Sequence, residues 1–220
     1  NKHVPSNERE GLLEKVLEHS QTIPLYDKGT QKETSYFTTQ SVRAEEEKLI
    51  RFADRIAKKS AVSLSSFSTE KGLDNRRLSE EQKAAYDLCV NSEKNLSIIQ
   101  GRAGVGKSYL LDAIRIAHEA EGFRVLGLAP TNKVAMDLKK EGFEAKTCHS
   151  FLFAFKNNRG TLDSKTVVIV DEAGMLGTTL SVELFNVIKN KGAKLILVGD
   201  DRQLGSVERG GTFRFLSDRY

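Results

Sequence analysis

Glycine, lysine and serine residues in the middle of the chain have the spacing of a phosphate-binding loop. Gly101 and Gly106 bracket four residues, and Lys107 and Ser108 follow at once. An apolar run precedes this G-x-x-x-x-G-K-S pattern and a helical pattern follows it, which is the strand, loop and helix order that phosphate binding requires. Glycines let backbone N–H groups face phosphate oxygens, and the helix N-terminus adds partial positive charge. The pattern predicts a nucleoside triphosphate site, and the alternative is a chance match in a glycine-rich turn.

The predicted nucleotide-binding residues of this loop form one continuous run. They are Gly101, Arg102, Ala103, Gly104, Val105, Gly106, Lys107, Ser108 and Tyr109. Within the run, Lys107 suits a bridge between the β- and γ-phosphates, and the Ser108 hydroxyl suits Mg²⁺.

Two carboxylates follow the most apolar segment of the chain, residues 166–170. Four consecutive residues there that are both β-branched and apolar predict a central parallel strand, whose carboxyl end faces the ligand crevice. Asp171 is suited to hold Mg²⁺ through water, and Glu172 is suited to polarise an attacking water as general base. A helix N-cap with an acidic first turn is the alternative. The carboxylate pair and the phosphate loop together predict triphosphate hydrolysis more specifically than either does alone.

Two glutamines are candidates for the same site. Gln203 follows the apolar run that ends at Gly199, and there it would sense the γ-phosphate and orient water. Gln82 begins a helical pattern with Ser79 three residues before it, which fits a capping box. Because it also comes just before the phosphate-loop strand, Gln82 is interpreted either as a cap or as a reader of the adenine edge, and one residue can fill both roles.

Two further helix starts carry residues that suit a phosphodiester backbone. Thr131, Asn132 and Lys133 follow a buried-strand pattern and present a hydroxyl, an amide and an ammonium group. An ordinary capped helix explains them equally well. Thr147 and His149 open the next helical pattern, whose phenylalanines are interpreted as core residues rather than as base-stacking residues. His149 has no second ligand at zinc spacing, so we expect a hydrogen bond there, to protein or to DNA, and no metal site.

Composition is that of a globular protein: of 220 residues, 39% are hydrophobic and 29% charged. No apolar run approaches the ~20 residues of a membrane helix, and the first residues lack the apolar core of a signal peptide, so we expect a cytoplasmic protein without a membrane partner. The net charge of +4 permits nucleic-acid binding without requiring it. Cys89 and Cys148 are expected to be buried free thiols. Because residue 1 is Asn, we expect a piece of a longer chain.

The expected fold class is α/β, a mainly parallel sheet flanked by helices, with a small helical region before it. Residues 1–75 are predicted to be a helical accessory region and linker, and residues 76–220 an ATPase domain. Within the first region, residues 1–20 are predicted to be a polar lead-in followed by a helix, and residues 41–59 a second helix. The polar stretch 22–40 between them is predicted to be irregular, and the serine-rich stretch 60–75 a linker or surface segment.

Taken in chain order, these segments resemble the Q motif and motifs I, Ia, Ic, II and III of superfamily-one helicases, in the RecD-like branch that moves 5′ to 3′. The segments are residue 82 and residues 101–108, 130–135, 147–151, 170–176 and 198–204. The stretches LSEEQKAAY, VVIVDEAGML, GAKLILVGDDRQL and ERGGTFRFL resemble the helicase portion of the TraA family of Ti-type conjugative-transfer relaxases. The resemblance spans most of residues 36–220 and is specific from residue 78 onward.

The resemblance implies a RecA-like P-loop NTPase fold and a motor that uses ATP and Mg²⁺ to translocate on single-stranded DNA. It assigns Lys107 and Ser108 to phosphate and Mg²⁺, and Asp171 and Glu172 to Mg²⁺ and water. It gives Gln203 the coupling of γ-phosphate to DNA. Gln82 would read adenine, and Thr131 and residues 147–151 would touch DNA.

The same resemblance implies partners outside this sequence: a second RecA-like domain, a relaxase domain and other conjugation proteins. The second domain supplies an arginine worth roughly 10³–10⁵ in rate. We therefore expect this chain to bind ATP–Mg²⁺ weakly, to hydrolyse it slowly and not to unwind DNA.

Two other functions are compatible with the sequence. One is a non-catalytic module, derived from a truncated helicase, that docks to DNA or to a partner. The intact phosphate loop and carboxylate pair argue against it. The other is a P-loop enzyme that acts on small molecules, such as a kinase. Gln203 and residues 130–132 argue against that.

Overall fold

The computed structural model describes residues 15–26, 29–101, 106–200 and 212–220. The chain divides into two compact units between Lys48 and Leu49. In chain order the strands and helices are β1 Thr22–Tyr26, β2 Glu33–Thr39, α1 Gln40–Ala57, α2 Ser66–Leu73, α3 Glu80–Val90, β3 Leu96–Gln100, α4 Lys107–Ala120, β4 Arg124–Ala129, α5 Asn132–Lys140, β5 Glu144–Thr147, α6 Cys148–Lys156, β6 Thr166–Val170, α7 Thr178–Lys191, β7 Lys194–Gly199 and α8 Thr212–Arg219, with a 3₁₀ turn at Ala173–Met175.

The first unit contains an antiparallel hairpin of β1 and β2, with Thr22 opposite Thr39. The prediction of an irregular stretch over 22–40 is therefore wrong. Aromatic and β-branched residues in 36–39 favour a strand. The breaker Pro24 is tolerated because a two-stranded ribbon has open edges, where a missing N–H costs little. Of the first predicted helix, the structure describes only residues 15–17, which are helical.

The second unit is built on a five-stranded parallel sheet with strand order β3-β7-β6-β4-β5. Residue pairs such as Gln100 with Gly199, and Ala129 with Thr147, set the register at the carboxyl ends of the strands. Because all five strands run the same way, the segments that follow them meet at one edge of the sheet. The phosphate loop, the carboxylate pair and the two Thr-led helices share this carboxyl edge, as the sequence predicts.

Alternate residues along the strands face two separate cores, one on each side of the sheet. On β6, Val168 and Val170 belong to one core, and Val167 and Ile169 to the other. The first core is completed by the C-terminal half of α1 and by α6, α7 and α8, the second by α3, α4 and α5. All five residues of β6 are buried, which is why its sequence is continuously apolar rather than alternating.

Residues 60–75, predicted to be a linker or surface segment, instead contribute a helix that packs on α4. Leu64 is buried, and Gly72 lies so close to α4 that an added Cβ would come within 2.7 Å of the Ala113 carbonyl oxygen. Glu121, just after α4, accepts hydrogen bonds from the Ser65 N–H at 2.8 Å and from its hydroxyl at 2.7 Å. A serine-rich composition concealed this helix because its serines cap it and pack tightly. The domain boundary between residues 75 and 76 stays a prediction.

Both cysteines are buried free thiols, as predicted. Burial raises the pKa of each, Cys89 and Cys148, to about 12, so both stay protonated at neutral pH. In the described ranges, no helix is long and apolar enough to cross a membrane.

Candidate nucleotide site

The turn from β3 into α4 leaves the start of α4 without a capping side chain. The Gly101 N–H donates to the Gly199 carbonyl at 3.0 Å, which fixes the beginning of the loop to β7. Gly106 is the N-cap of α4 and has φ +76°, a conformation that favours glycine. Since no side chain of the described residues caps this helix start, backbone N–H groups of the first turn suit an anion. Arg102, Ala103, Gly104 and Val105 lie outside the described residues.

The phosphate-loop lysine and the second carboxylate meet across the site. Lys107 Nζ lies 3.1 Å from Glu172 Oε1, and the two side chains are only 12% and 20% exposed. The two residues are separated by 65 positions in sequence. The structure thus brings together the two motifs whose combination predicted triphosphate chemistry.

Asp171 is held at the carboxyl end of β6 by backbone hydrogen bonds. Its N–H donates to the Leu128 carbonyl at 2.9 Å, and its Oδ1 accepts the Glu172 N–H at 2.8 Å. Burial raises the pKa of Asp171, and the Glu172 charge adds to this, whereas the Glu172 N–H and the Lys107 charge oppose it. A bound cation would favour the ionised carboxylate at this position. Glu172 itself has φ +51°, an uncommon backbone conformation for a non-glycine residue.

The segments that follow β6 and β7 touch each other. A Cβ added at Gly174 would lie 2.8 Å from the Asp200 carbonyl oxygen, and one added at Gly199 would lie 2.9 Å from the Gly174 nitrogen. This close approach places the start of the third motif beside the carboxylate pair. Gln203 lies outside the described residues.

Gln82 both caps α3 and faces the phosphate loop. Its N–H and its Oε1 make the capping box with Ser79, as one of the two interpretations predicts. Its Nε2 donates to the Gly106 carbonyl at 3.4 Å, so the amide lies against the end of the loop. Ser108 and Tyr109 are both exposed on the first turn of α4, Tyr109 at 41%.

Two charged residues beside this site belong to no sequence motif and were not predicted to lie there. Arg76 and Asp112 form an ion pair between the segment after α2 and the first half of α4. The pair joins positions 36 residues apart and belongs to no spacing motif. They come together because α2 packs on α4, a contact that the sequence did not predict.

The candidate DNA-contacting residues lie at the starts of α5 and α6. Thr131 and Thr147 cap the two helices, accepting from the Val134 N–H at 3.4 Å and the Ser150 N–H at 3.1 Å. Asn132, Lys133 and His149 are exposed beside them. The two caps belong to neighbouring strand ends, because Thr147 pairs with Ala129. Capping is confirmed, and contact with DNA stays a prediction.

Among the phenylalanines of α6, one does not belong to the core. Phe151 is buried, as predicted, but Phe153 is 67% exposed. Helical geometry explains the difference, since positions two apart on a helix face different directions. Across the described part of the chain, no three His, Cys, Asp or Glu side chains cluster as they would around a metal ion.

Comparison with known proteins identifies the family. A family model described as an AAA domain matches residues 77–220. The chain is 41% identical over 144 residues to the conjugal transfer protein TraA of Agrobacterium fabrum, a match that covers 65% of this chain and 13% of that protein. It is 28% identical over 151 residues to the multifunctional conjugation protein TraI of Escherichia coli K12, covering 65% of this chain and 9% of TraI.

A third relative is the RecD subunit of the RecBCD enzyme from Mycobacterium tuberculosis, 28% identical over 170 residues, which covers 64% of this chain and 29% of that subunit. These matches confirm the resemblance to TraA and to RecD-like helicases that the motifs indicated. Each match spans only a small part of the relative's length. The chain belongs to the AAA domain family, and over that domain it is homologous to the conjugative relaxase-helicases.

Proposed function

We propose that this chain is the ATP-binding motor domain of a conjugative-transfer helicase, which in a full-length protein drives 5′–3′ translocation on single-stranded DNA. The contact between Lys107 and Glu172 carries the proposal. A structural ion pair needs no phosphate loop beside it, and a phosphate loop alone needs no carboxylate. Their combination at the carboxyl edge of a parallel sheet is what triphosphate hydrolysis requires.

The residues fit Mg²⁺ and a triphosphate by their donor types. The glycine-capped start of α4 offers backbone N–H groups to phosphate oxygens, and Lys107 offers an ammonium group. Ser108 and Asp171 would hold Mg²⁺, which neutralises phosphate charge when it is bound. Glu172, once separated from Lys107, would accept a proton from the attacking water. Gln203 is proposed to orient that water, and Gln82 and Tyr109 to contact the nucleobase.

Single-stranded DNA is proposed to cross the capped starts of α5 and α6. Each start presents exposed polar side chains, namely Asn132 and Lys133 on α5 and His149 on α6. Thr131 and Thr147 hold these turns in place. Contacts of this kind suit phosphate groups and are independent of base sequence.

Titration calorimetry of the 220-residue chain with ATP–Mg²⁺ tests the proposal. Lys107→Ala should weaken binding about 100-fold, since a charge-assisted hydrogen bond to phosphate contributes on the order of 3 kcal/mol. Lys139→Ala, an exposed lysine at the end of α5, should bind like the unsubstituted chain. Single-stranded oligothymidine should tighten ATP binding if the two ligands are coupled.

The outcomes separate the candidate functions. Absence of ATP binding in the unsubstituted chain would contradict the motor proposal, and DNA binding without nucleotide binding would favour a docking module. If nucleotide binding and hydrolysis ignore DNA in a longer protein that contains this chain, a small-molecule enzyme is favoured instead.

A further inference from the structure

The segment between α2 and α3 is fastened to the first half of α4 beside the nucleotide site. The backbone N–H of Arg77 donates to the Tyr109 hydroxyl at 3.2 Å. The Arg76 guanidinium lies 5.9 Å from the centroid of the Tyr109 ring, within the range of a cation–π contact. Two consecutive residues of this segment therefore contact Tyr109, one at its hydroxyl group and the other at its ring.

Arg76 is itself fixed from several directions. It pairs with Asp112, one turn beyond Tyr109 on α4, and its Nη1 donates to the Gly72 carbonyl at 3.4 Å and the Asp74 carbonyl at 3.3 Å. Its side chain is 16% exposed and that of Asp112 is 25% exposed. A planar guanidinium that is held by a carboxylate and two carbonyls has little rotational freedom.

The same segment leads into Gln82, whose amide reaches the other side of the start of α4. Gln82 Nε2 donates to the Gly106 carbonyl, and Tyr109, three residues after Gly106, is 41% exposed. An exposed aromatic residue within one helical turn of the carbonyl that binds a side-chain amide suits a purine, which stacks on the first and hydrogen-bonds with the second. Arg76 connects the two groups, because it anchors the segment that precedes Gln82 and touches Tyr109.

We propose that Arg76, through its ion pair with Asp112, is a positioning residue for the nucleobase of the bound triphosphate. It sets the orientation of the Tyr109 ring and its separation from Gln82, without touching the nucleotide itself. The proposal rests on the proposed function, since it assigns the base to the side of the site formed by Tyr109 and Gln82.

Arg115 provides a matched control for Arg76 in the same network. It also binds Asp112, at 2.6 Å, and its side chain is likewise 16% exposed. The rest of its guanidinium points away from the site, toward Glu119 at 2.7 Å and the Phe143 ring at 5.4 Å. Arg115→Gln therefore removes an equally buried partner of Asp112 and leaves the contacts of Tyr109 in place.

The experiment compares two ligands of the same site, Mg²⁺–ATP and Mg²⁺–tripolyphosphate, which lacks the base. Dissociation constants are measured by calorimetry for the unsubstituted chain, Arg76→Ala, Arg76→Lys and Arg115→Gln. Since a base–aromatic stack contributes about five- to 100-fold in affinity, we expect Arg76→Ala to weaken ATP about tenfold and tripolyphosphate less than twofold. Arg115→Gln should change neither constant, and Arg76→Lys should recover part of the ATP affinity.

A double-mutant cycle with Tyr109→Leu shows whether Arg76 acts through the ring. In the Tyr109→Leu background, Arg76→Ala should have almost no further effect on ATP binding. Equal losses for both ligands in Arg76→Ala, with Arg76→Lys equally weak, would overturn the proposal in favour of a merely structural role. Equal affinity of the unsubstituted chain for both ligands would also overturn it, while leaving the proposed function intact. Failure to bind either ligand would contradict the proposed function itself.

Discussion

The two edges of the parallel sheet each contain a lysine that is largely withdrawn from solvent, and the two lysines have different kinds of hydrogen-bond partner. At the carboxyl edge, Lys107 is 12% exposed and pairs with the Glu172 carboxylate. At the amino edge, Lys194 opens β7, is 4% exposed and donates to the Cys89 carbonyl at 2.5 Å. Burial lowers the pKa of Lys194. One lysine pairs with a side-chain carboxylate, and the other with a backbone carbonyl.

The difference indicates which edge can do chemistry. Under the proposed function, phosphate would replace Glu172 at Lys107, and both groups would then face the ligand. The Cys89 carbonyl is one of the last in α3, where helix carbonyls lack partners within the helix, and Lys194 satisfies it. Asn95 likewise satisfies a backbone group, since its side-chain amide donates to the Ala193 carbonyl at 2.9 Å. Polar side chains at the amino edge therefore satisfy backbone carbonyl groups of the fold, whereas Lys107 and Glu172 at the carboxyl edge pair with each other, and a ligand could take the place of either partner.

The largest expected effect belongs to the carboxyl edge. Glu172→Gln keeps a hydrogen-bond acceptor for Lys107 but removes the base, so hydrolysis of ATP should fall by about 10²–10⁴. ATP affinity should stay within a few-fold, and the free energy of unfolding should hardly change. Phosphate release measures hydrolysis and titration calorimetry measures ATP affinity, with Glu141→Gln as the control. Unchanged hydrolysis in Glu172→Gln would remove Glu172 from the reaction.

The amino edge should respond in stability alone. Lys194→Ala removes three buried methylene groups and leaves the Cys89 carbonyl unpaired, so we expect a loss of about 3 kcal/mol in the free energy of unfolding. Lys194→Met restores the apolar volume but not the hydrogen bond, so it should recover part of this loss and stay about 1–2 kcal/mol below the unsubstituted chain. Lys165→Ala, an exposed neighbour at this edge, serves as control in urea titrations. A change in ATP affinity with either Lys194 variant would abolish the distinction between the edges.

Acid should also act on the amino edge first. His118 is 1% exposed, donates from Nδ1 to the Ile114 carbonyl at 2.8 Å and packs edge-on against Phe123. Burial, with the nearby charge of Lys194, lowers the pKa of His118 to about 4. Between pH 4 and the unfolded value near 6.5, the unfolded chain binds more protons, so stability falls as pH falls. The loss should reach about 3 kcal/mol.

Unfolding measured between pH 7 and pH 4 checks this prediction. His118→Leu should flatten the curve in that window, whereas His149→Leu, an exposed histidine, should leave its slope unchanged. Hydrogen bonds from Ser65 lower the pKa of the neighbouring Glu121 from 4.5 to about 2, so the stability it contributes is lost below about pH 4.5 and overlaps only the acid end of the window. An equal slope with and without His118 would assign the acid sensitivity to other groups.

The carboxyl edge was more predictable from sequence than the amino edge. The phosphate loop and the Asp171–Glu172 pair are consecutive residues after apolar runs, and parallel strand direction alone brings their ends together. Lys194 and His118 gave no such signal, because each is defined by what packs over it. A lysine that opens a strand and a histidine in the last turn of a helix look like surface residues until tertiary contacts are known.

Residues 60–77 show the same limit within the nucleotide site. The serine-rich composition of residues 60–75 indicated a linker or surface segment, yet α2 packs on α4, and Arg76, which follows this stretch, reaches Asp112 across that contact. Composition reports average polarity, whereas the tight fit at Gly72 depends on one missing side chain. The hairpin of residues 22–39 was missed for a related reason, since Pro24 reads as a breaker and is tolerated at a ribbon edge.

The smallest expected effects concern the helix caps, which occur at both edges. Thr131→Val and Thr147→Val each remove a cap at the carboxyl edge, and Ser65→Ala removes the cap of α2, which lies beside Glu121 after the end of α4. Each should lower the free energy of unfolding by about 1 kcal/mol. If DNA lies across α5 and α6, only the two threonine variants should also weaken binding of labelled oligothymidine, by a few-fold in fluorescence anisotropy. Equal DNA affinity in all three variants would mean that these caps, like Lys194, serve the fold alone, and that DNA contacts lie elsewhere on the carboxyl edge.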